Sequence, residues 1–199
     1  IPAPMKQKDS TMPRTVGEAL DYCSDALEHS DVFFGHGTDN AWDEAVQLVL
    51  SVADLPLDSD AGVLPHLLAP ADFSRIESLL RARIEDHTPL PYLLGKAWFA
   101  GLEFRSDPRA IIPRSPIAEL ILNEFQPWYS GPAPRRVLDL CCGGGCIGLA
   151  VAHYYPDVQV DLLDIDSSAL ALAREAQRKF GGDSVGEFVR NAESFRSTL

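Results

Sequence analysis

The stretch that decides the fold is Arg136-Val-Leu-Asp139-Leu-Cys141-Cys142-Gly143-Gly144-Gly145-Cys146-Ile147-Gly148-Leu-Ala150. Its first residues predict a buried strand, its glycines a sharp turn, and its last residues an apolar helix. Glycine permits positive φ and lets a ligand approach the backbone closely. A helix that starts there offers free N–H groups and the positive end of its dipole. The stretch therefore predicts a loop that binds an adenosine-bearing cofactor.

Two cofactors suit this loop. The spacing Gly143-x-Gly145-x-x-Gly148 matches the dinucleotide fingerprint, and Asp164, 19 residues after Gly145, ends the next predicted strand. A carboxylate at that place accepts hydrogen bonds from ribose hydroxyls. Asp139 shifts the interpretation, because a carboxylate in the loop repels a pyrophosphate but favours a sulfonium cation or an ammonium group. The pattern resembles the first motif of S-adenosylmethionine-dependent methyltransferases, with an NAD-dependent oxidoreductase as the alternative.

Composition limits the partners. The 199 residues are 46% hydrophobic, enough for a folded core, and carry a formal charge of −12 with a pI near 4.7. Direct nucleic-acid binding is not expected, since phosphate contacts need clustered Lys and Arg. An acidic surface suits a basic partner such as a ribosomal protein, although solubility alone would also account for the charge. Without a long apolar run or a signal peptide pattern, we expect a cytoplasmic protein with no membrane association.

Metal chemistry is not expected. Three of the four cysteines crowd the glycine loop, but no Cys-x-x-Cys pair is present, and the five histidines lack metal-ligand spacing. We interpret the loop cysteines as small, weakly polar residues of a tight turn, with reduced thiols.

The first half of the chain predicts helices. Residues 1–14 are a polar, proline-bearing tail, and residues 15–88 form a small helical domain. Thr15-Val-Gly-Glu18 is a capping box for a helix that runs to about residue 29. Asp39 or Asn40 caps a second helix, and a third covers about residues 71–86. We interpret this domain as a substrate-recognition module; a lid that only stabilises the rest of the chain is the alternative.

A linker follows at residues 89–112. Pro89 and Pro91 are expected to end the helical part, and aromatic residues around Gly101 predict a β-hairpin between residues 96 and 104. Residues 113–199 then begin with a helix capped by Ser115.

After the glycine loop we expect a helix to about residue 154, a strand at 159–164, and a helix at about 168–179. A third strand at 186–190 would place Asn191 or Glu193 beside an adenine ring. Right-handed crossovers make such strands parallel and adjacent. The fold class is therefore α/β, an incomplete Rossmann-like methyltransferase domain.

Three runs together resemble one family, the HemK/PrmB class of protein-glutamine N-methyltransferases, and its PrmB branch in particular. The resemblance spans about residues 15–180. The runs are Pro91-Tyr92-Leu93 with Lys96-Ala-Trp98-Phe99-Ala-Gly101, then Ile112-Pro113-Arg114-Ser115-Pro116, then Asp139-Leu-Cys141-Cys142-Gly143-Gly144-Gly145-Cys146-Ile147.

The resemblance implies methyl transfer from S-adenosylmethionine to the side-chain amide of a glutamine in the third protein of the large ribosomal subunit. It implies that the helical domain engages that protein. It also assigns cofactor-binding residues: the methionine and ribose parts of the cofactor would lie among Asp139, Cys141, Gly143, Gly145 and Asp164. Arg114 and Pro113 would border the cleft between cofactor and substrate.

One motif of the family does not occur. Its Asn-Pro-Pro-Tyr motif, which grips the acceptor amide, would require an Asn-Pro dipeptide, and this sequence has none. We therefore expect the chain to be a fragment with little activity alone, and its catalytic residues stay unassigned. The missing motif also favours a non-catalytic module that binds a ribosomal protein.

Overall fold

The computed structural model describes residues 13–132, 134–180 and 185–189. The chain divides into two compact units, Ile1–Leu94 and Gly95–Leu199. We call them the helical unit and the α/β unit. The mixed content of helices and strands agrees with the predicted α/β class. No helix in the described ranges is both long and apolar enough to cross a membrane.

Helices build the first unit. They are α1 (Val16–Glu28), α2 (Ala41–Val52), a 3-10 turn (Ala61–Val63), α3 (Pro70–Glu85) and α4 (Leu90–Leu94).

The predicted helix starts are confirmed. The Thr15 hydroxyl accepts a hydrogen bond from the Glu18 N–H, and the Glu18 carboxylate accepts one from the Thr15 N–H, each over 3.2 Å. This reciprocal pair satisfies two donors that a helix N-terminus leaves free. The Asn40 side chain caps α2 by accepting from the Asp43 N–H at 2.9 Å.

Helix α4 was not foreseen, and the prediction that Pro89 and Pro91 end the helical part is wrong. The N–H groups of Tyr92 and Leu93 both donate to the Pro89 carbonyl. Pro91 lies in the first turn, where a missing N–H costs no intrahelical hydrogen bond. Proline there permits one more turn of helix.

The core of the helical unit joins α1, α2 and α3. Its apolar side chains recur every three to four residues along each helix, which turns one face of the helix inward. The core includes Val16, Leu20, Cys23, Leu27, Ala45, Leu48, Val49, Ile76 and Leu80.

The second unit mixes strands and helices. In chain order they are β1 (Lys96–Phe99), β2 (Leu102–Arg105), α5 (Ile117–Leu122), β3 (Arg136–Leu140), α6 (Cys146–Tyr154), β4 (Gln159–Leu163), α7 (Ser167–Phe180) and β5 (Val185–Val189). The predicted hairpin is present: β1 and β2 pair antiparallel around Gly101, whose φ is +76°.

The described sheet has the order β3-β4-β5, and both pairings are parallel, as expected from the sequence. In the first pairing Leu140 lies beside Leu163, so the two strands end level with one another. Loops that leave the carboxyl ends of parallel strands meet at one edge of a sheet. Here those loops begin at Cys141 and Asp164.

Helix α5 is short. It ends at Leu122, and the nearby Glu124 and Phe125 have positive φ, which a right-handed helix does not allow. At the other end the Ser115 hydroxyl accepts from the Ile117 N–H at 3.2 Å, and Pro116 has helical dihedral angles. Ser115 therefore acts as a cap, although the regular helix begins at Ile117.

Candidate cofactor site

The glycine loop joins β3 to α6. Three of its residues have positive φ: Cys141 (+60°), Gly143 (+54°) and Gly145 (+76°). The glycines were predicted to take this conformation, which costs them little. Cys141 was not, because a residue with a Cβ rarely adopts it. The turn therefore starts one residue after the strand, and Cys141 is left exposed.

Asp164 holds the loop from the neighbouring strand. One oxygen of its carboxylate, Oδ2, accepts from the Gly143 N–H at 2.7 Å, and Oδ1 accepts from the Asp166 N–H at 2.9 Å. Backbone pairing adds a third link, since the Cys142 N–H donates to the Leu163 carbonyl at 3.0 Å. The structure thus brings together Asp164 and Gly143, two residues assigned to the cofactor from the sequence.

Asp139 holds the start of α6. Its Oδ2 accepts from the Gly148 N–H at 2.8 Å, which supplies the cap that Gly145, the residue before the helix, cannot provide. Burial raises the pKa of Asp139 above its ordinary value; the Gly148 N–H opposes this rise and the charge of Asp164 adds to it. In the described part of the chain, Oδ1 of Asp139 receives no hydrogen bond.

The loop therefore differs from a phosphate-binding loop. Two backbone N–H groups that could face a pyrophosphate, those of Gly143 and Gly148, already donate to Asp164 and Asp139. A phosphate would meet two carboxylates in place of those donors, and like charges repel. A sulfonium or ammonium cation would be attracted there, and ribose hydroxyls could donate to the unused lone pairs. The two carboxylates and the already paired N–H groups fit S-adenosylmethionine better than NAD.

Two glycines are required by packing. A Cβ on Gly148 would lie 2.3 Å from Cδ2 of Leu162 and 3.1 Å from the Asp139 side chain. Gly145 is buried, and a Cβ there would lie 3.0 Å from the Ala173 Cβ. Small residues at these positions let α6 approach the sheet and α7 closely. A cofactor role for Gly145 stays a prediction, whereas its packing role follows from these distances.

Sequence reasoning missed a segment that covers the loop. The Ala110 methyl group lies next to Gly143 and Gly144, where added Cβ atoms would be 3.8 and 3.6 Å away. Leu172 approaches Gly144 from α7: its Cδ2 would lie 3.3 Å from a Cβ added to Gly144. The segment before Ala110 and helix α7 thus both support the glycine loop.

Arg109 fixes this segment. Its guanidinium binds both Asp107 oxygens at 2.8 and 2.9 Å and both Glu175 oxygens at 2.9 and 3.3 Å. Arg105 adds a second contact to Glu175 at 3.0 Å. The bonds from Arg109 lower the pKa of Asp107 to about 2. The sequence signal was limited to the local pair Asp107 and Arg109, since Glu175 lies 66 residues away.

Two of the three loop cysteines, Cys142 and Cys146, are partly shielded from solvent. Burial raises the pKa of both Cys142 and Cys146 to about 12, so both thiols stay protonated at neutral pH. Within the ranges that the structure describes, no cluster of His, Cys, Asp and Glu could hold a metal ion.

The other residues assigned to the site from the sequence stay predictions. Arg114 is exposed and Pro113 is half-buried, two and one residues after the buried Ile112. Their place at the edge of a cleft stays a prediction. Asn191 and Glu193, the candidates for adenine recognition, lie outside the described residues.

Comparison with known proteins shows which proteins the chain is similar to. The family model of the methyltransferase small domain matches residues 117–194, which include the glycine loop and Asp164. Curated relatives are named ribosomal protein uL3 glutamine methyltransferase. That of Xanthomonas campestris is 44% identical over 171 residues, 86% of this chain and 56% of the relative. That of Francisella tularensis is 43% identical over 166 residues, 83% of this chain and 53% of the relative.

A third relative, from Xylella fastidiosa, is 44% identical over 161 residues, 81% of this chain and 52% of its own length. The resemblance stated from the sequence is thereby confirmed: this chain is homologous to uL3 glutamine methyltransferases. The chain spans about half the length of these curated relatives.

Proposed function

We propose that this chain contributes the cofactor site and the substrate-recognition part of an S-adenosylmethionine-dependent enzyme that methylates a glutamine side chain of ribosomal protein uL3. The observation that carries the cofactor assignment is the pair of carboxylates at the ends of β3 and β4. Asp139 and Asp164 hold the glycine loop by its own N–H groups. They make the site acidic, which suits a cationic cofactor.

The cofactor would lie along the carboxyl ends of β3 and β4. Asp164 would accept hydrogen bonds from the ribose hydroxyls, and the free Oδ1 of Asp139 would face the positively charged methionine part. Cys141 and Gly143 would line the same loop, with Arg114 bordering it and Asn191 at the adenine. S-adenosylmethionine, when bound, supplies an electrophilic methyl group.

Orientation is the main task of the protein in this reaction. An amide nitrogen is a weak nucleophile because its lone pair is delocalised into the carbonyl group. Holding the amide in line with the methyl group can contribute roughly 7–11 kcal/mol to lowering the barrier. This chain has no Asn-Pro dipeptide to hold the amide, so its residues are assigned to cofactor and protein binding, and none to the amide.

The proposed tasks are divided among successive segments of the chain. We assign residues 15–88 to substrate recognition, residues 89–112 to a hairpin linker, and residues 113–199 to a Rossmann-like methyltransferase domain, with residues 1–14 as a tail.

Residues 13–94 carry fifteen Asp and Glu but four Arg and no Lys, a formal charge of −11 out of −12 for the whole chain. Such a field attracts a basic protein and repels nucleic acid.

The names of the relatives supply the partner: they act on uL3. A ribosomal protein as substrate favours a cytoplasmic location. An oxidoreductase is not supported, since the Gly148 N–H, which the pyrophosphate of NAD would need as a donor, already donates to Asp139. A binding module without catalysis would share the helical unit but leave the acidic cofactor loop unexplained.

The test combines binding and transfer. The chain is mixed with unmodified recombinant uL3 and S-adenosylmethionine labelled on its methyl group. We expect cofactor to cross-link to the chain under ultraviolet light, S-adenosylhomocysteine to compete, and uL3 to bind with an affinity that falls as salt increases. Label on a uL3 glutamine would establish the reaction. Cross-linking that NADH suppresses and S-adenosylhomocysteine does not would contradict the proposal.

A further inference from the structure

The inference concerns the segment at residues 31–37, which we call the Phe33 loop. It joins α1 to α2 in the helical unit. Phe33 is 73% exposed, whereas Val32 before it is buried and Phe34 after it packs against the core. The alternation turns one large aromatic ring out of a loop whose neighbours point inward.

A buried ion pair fixes the backbone of this loop. The Arg83 guanidinium donates to the Phe33 carbonyl at 2.8 Å and to the Glu44 carboxylate; both charged side chains are 4% exposed. The Thr38 hydroxyl also donates to Glu44, at 3.2 Å. Two charges taken out of water must stay paired in one geometry, since an unpaired buried charge is strongly unfavourable. Because the paired Arg83 also binds the Phe33 carbonyl, the backbone at residue 33 is held in place.

The ring has two close neighbours in its own loop. The His36 ring lies edge-on to it, with centroids 6.3 Å apart and an angle of 82°. Gly35 has φ +127°, and a Cβ there would lie 3.0 Å from a Phe33 ring carbon. Because Arg83 fixes the backbone at residue 33, a partner that covers the ring orders little of the loop, so more of the burial free energy contributes to affinity. Aromatic anchors of this kind commonly dominate protein interfaces.

We propose that the Phe33 loop is a docking element for the basic protein substrate, with the Phe33 ring entering an apolar site on that protein. The proposal rests on the proposed function for the identity of the partner. Charge complementarity favours this occupant: residues 13–94 carry −11, and the exposed Asp31 stands in the loop itself, 3.3 Å from His87. The acidic field attracts the basic protein, and the ring supplies the apolar contact.

The experiment compares Phe33→Ala with Leu67→Ala in the whole chain. Leu67 belongs to the same unit and is also 73% exposed, so it controls for the general loss of an exposed apolar side chain. Binding of uL3 is measured by titration calorimetry at one salt concentration. The affinity for S-adenosylhomocysteine and the thermal midpoint are measured beside it, and sedimentation reports the oligomeric state.

We expect Phe33→Ala to weaken uL3 binding by about tenfold or more, equivalent to about 1.4 kcal/mol. Phe33→Leu should recover part of the loss, and Leu67→Ala should change the affinity by less than about twofold. Cofactor affinity and thermal midpoint should stay as in the wild type. Equal uL3 binding by wild type and Phe33→Ala overturns the docking role while leaving the proposed function intact.

Two other outcomes also overturn the inference. A wild-type chain that does not bind uL3 rejects both the partner in the proposed function and this docking role. A wild-type dimer that Phe33→Ala dissociates would show that the loop contacts a second copy of the chain instead.

Discussion

The Asp139 carboxylate accepts a hydrogen bond from the Gly148 N–H, nine residues further along the chain, at 2.8 Å. This bond joins the end of strand β3 to the first turn of α6. It places a negative charge at the positive end of the helix dipole, where such a charge is favourable. It also removes one of the donors that a pyrophosphate would need. The same hydrogen bond therefore caps α6 and makes the loop less suited to a pyrophosphate.

Gly148→Ala should destabilise the α/β unit. The added Cβ would lie 2.3 Å from Cδ2 of Leu162 and 3.1 Å from Asp139. Overpacking of this kind typically costs about 1–3 kcal/mol, and the displaced Asp139 should weaken cofactor binding. Urea unfolding and titration with S-adenosylhomocysteine measure both effects.

Gly144→Ala is the matched control in the same loop, since its nearest neighbour would be 3.3 Å away and its φ is not positive. A Gly148→Ala variant as stable as Gly144→Ala would contradict the packing account.

Asp139→Asn should change the pH dependence of folding stability and also weaken cofactor binding. Burial raises the pKa of Asp139 above 3.8, so the folded state disfavours its charged form. Its contribution to the free energy of unfolding is therefore favourable at low pH and is lost as pH rises through the raised pKa. The neutral Asn variant keeps an oxygen for Gly148 but lacks this pH dependence.

We expect the stability of the wild type relative to Asp139→Asn to fall as pH rises from about 4 to about 7, while the variant binds S-adenosylhomocysteine more weakly. Urea unfolding at several pH values gives the first quantity. A wild type that gains stability over the variant across this range would mean that the carboxylate is better stabilised in the folded state than its burial indicates.

Arg109→Ala should loosen the segment that supports the glycine loop. Without the guanidinium, the pKa of Asp107 should rise from about 2 toward its ordinary value of 3.8, which a carboxylate NMR titration detects. Ala110 would lose its anchor to α7, so cofactor affinity should fall.

Arg105→Ala is the control for this variant, because Arg105 contacts the same two carboxylates but is more exposed and lies further from Ala110 in the chain. We expect it to change cofactor affinity little. Equal losses in the two variants would indicate a general charge effect in place of an anchoring role for Arg109.

Arg83→Ala should destabilise the helical unit strongly. It leaves the Glu44 carboxylate buried without its ion-pair partner, and breaking a buried pair in this way costs about 3–5 kcal/mol. The double variant Arg83→Met with Glu44→Leu should recover most of the loss, since it buries no unpaired charge. Thermal and urea unfolding of the single and double variants measure this. Similar stability of Arg83→Ala and the wild type would show that the pair contributes little.

Local sequence signals predicted the parts of the fold that depend on neighbouring residues. Thr15 and Glu18 cap α1 within three residues, Asn40 caps α2, and the aromatic residues around Gly101 predicted the hairpin. The β3, α6, β4 series also followed from short patterns. The homology to uL3 glutamine methyltransferases was recognisable from three runs taken together, of which Lys96-Ala-Trp98-Phe99 and Pro113-Arg114-Ser115-Pro116 are specific on their own.

Features that depend on distant residues were not predictable. The bond between Arg109 and Glu175 spans 66 positions, and that between Arg83 and the Phe33 carbonyl spans 50. Helix α4 was missed because Pro89 and Pro91 were interpreted as the end of the helical part, although the first turn of a helix tolerates a proline such as Pro91. The positive φ of Cys141 was missed because glycines follow it closely. The two arginine contacts depend on tertiary packing, whereas helix α4 and Cys141 show that local signals can also be misread.

The most direct test of the cofactor site is titration calorimetry of this chain with S-adenosylhomocysteine, with Asp164→Ala beside it. Asp164 holds the loop through Gly143 and is the proposed ribose ligand. We predict saturable binding by the wild type and an affinity at least about tenfold lower for Asp164→Ala, a loss of about 1.4 kcal/mol or more. A folded wild-type chain that binds NADH and not S-adenosylhomocysteine would contradict the account.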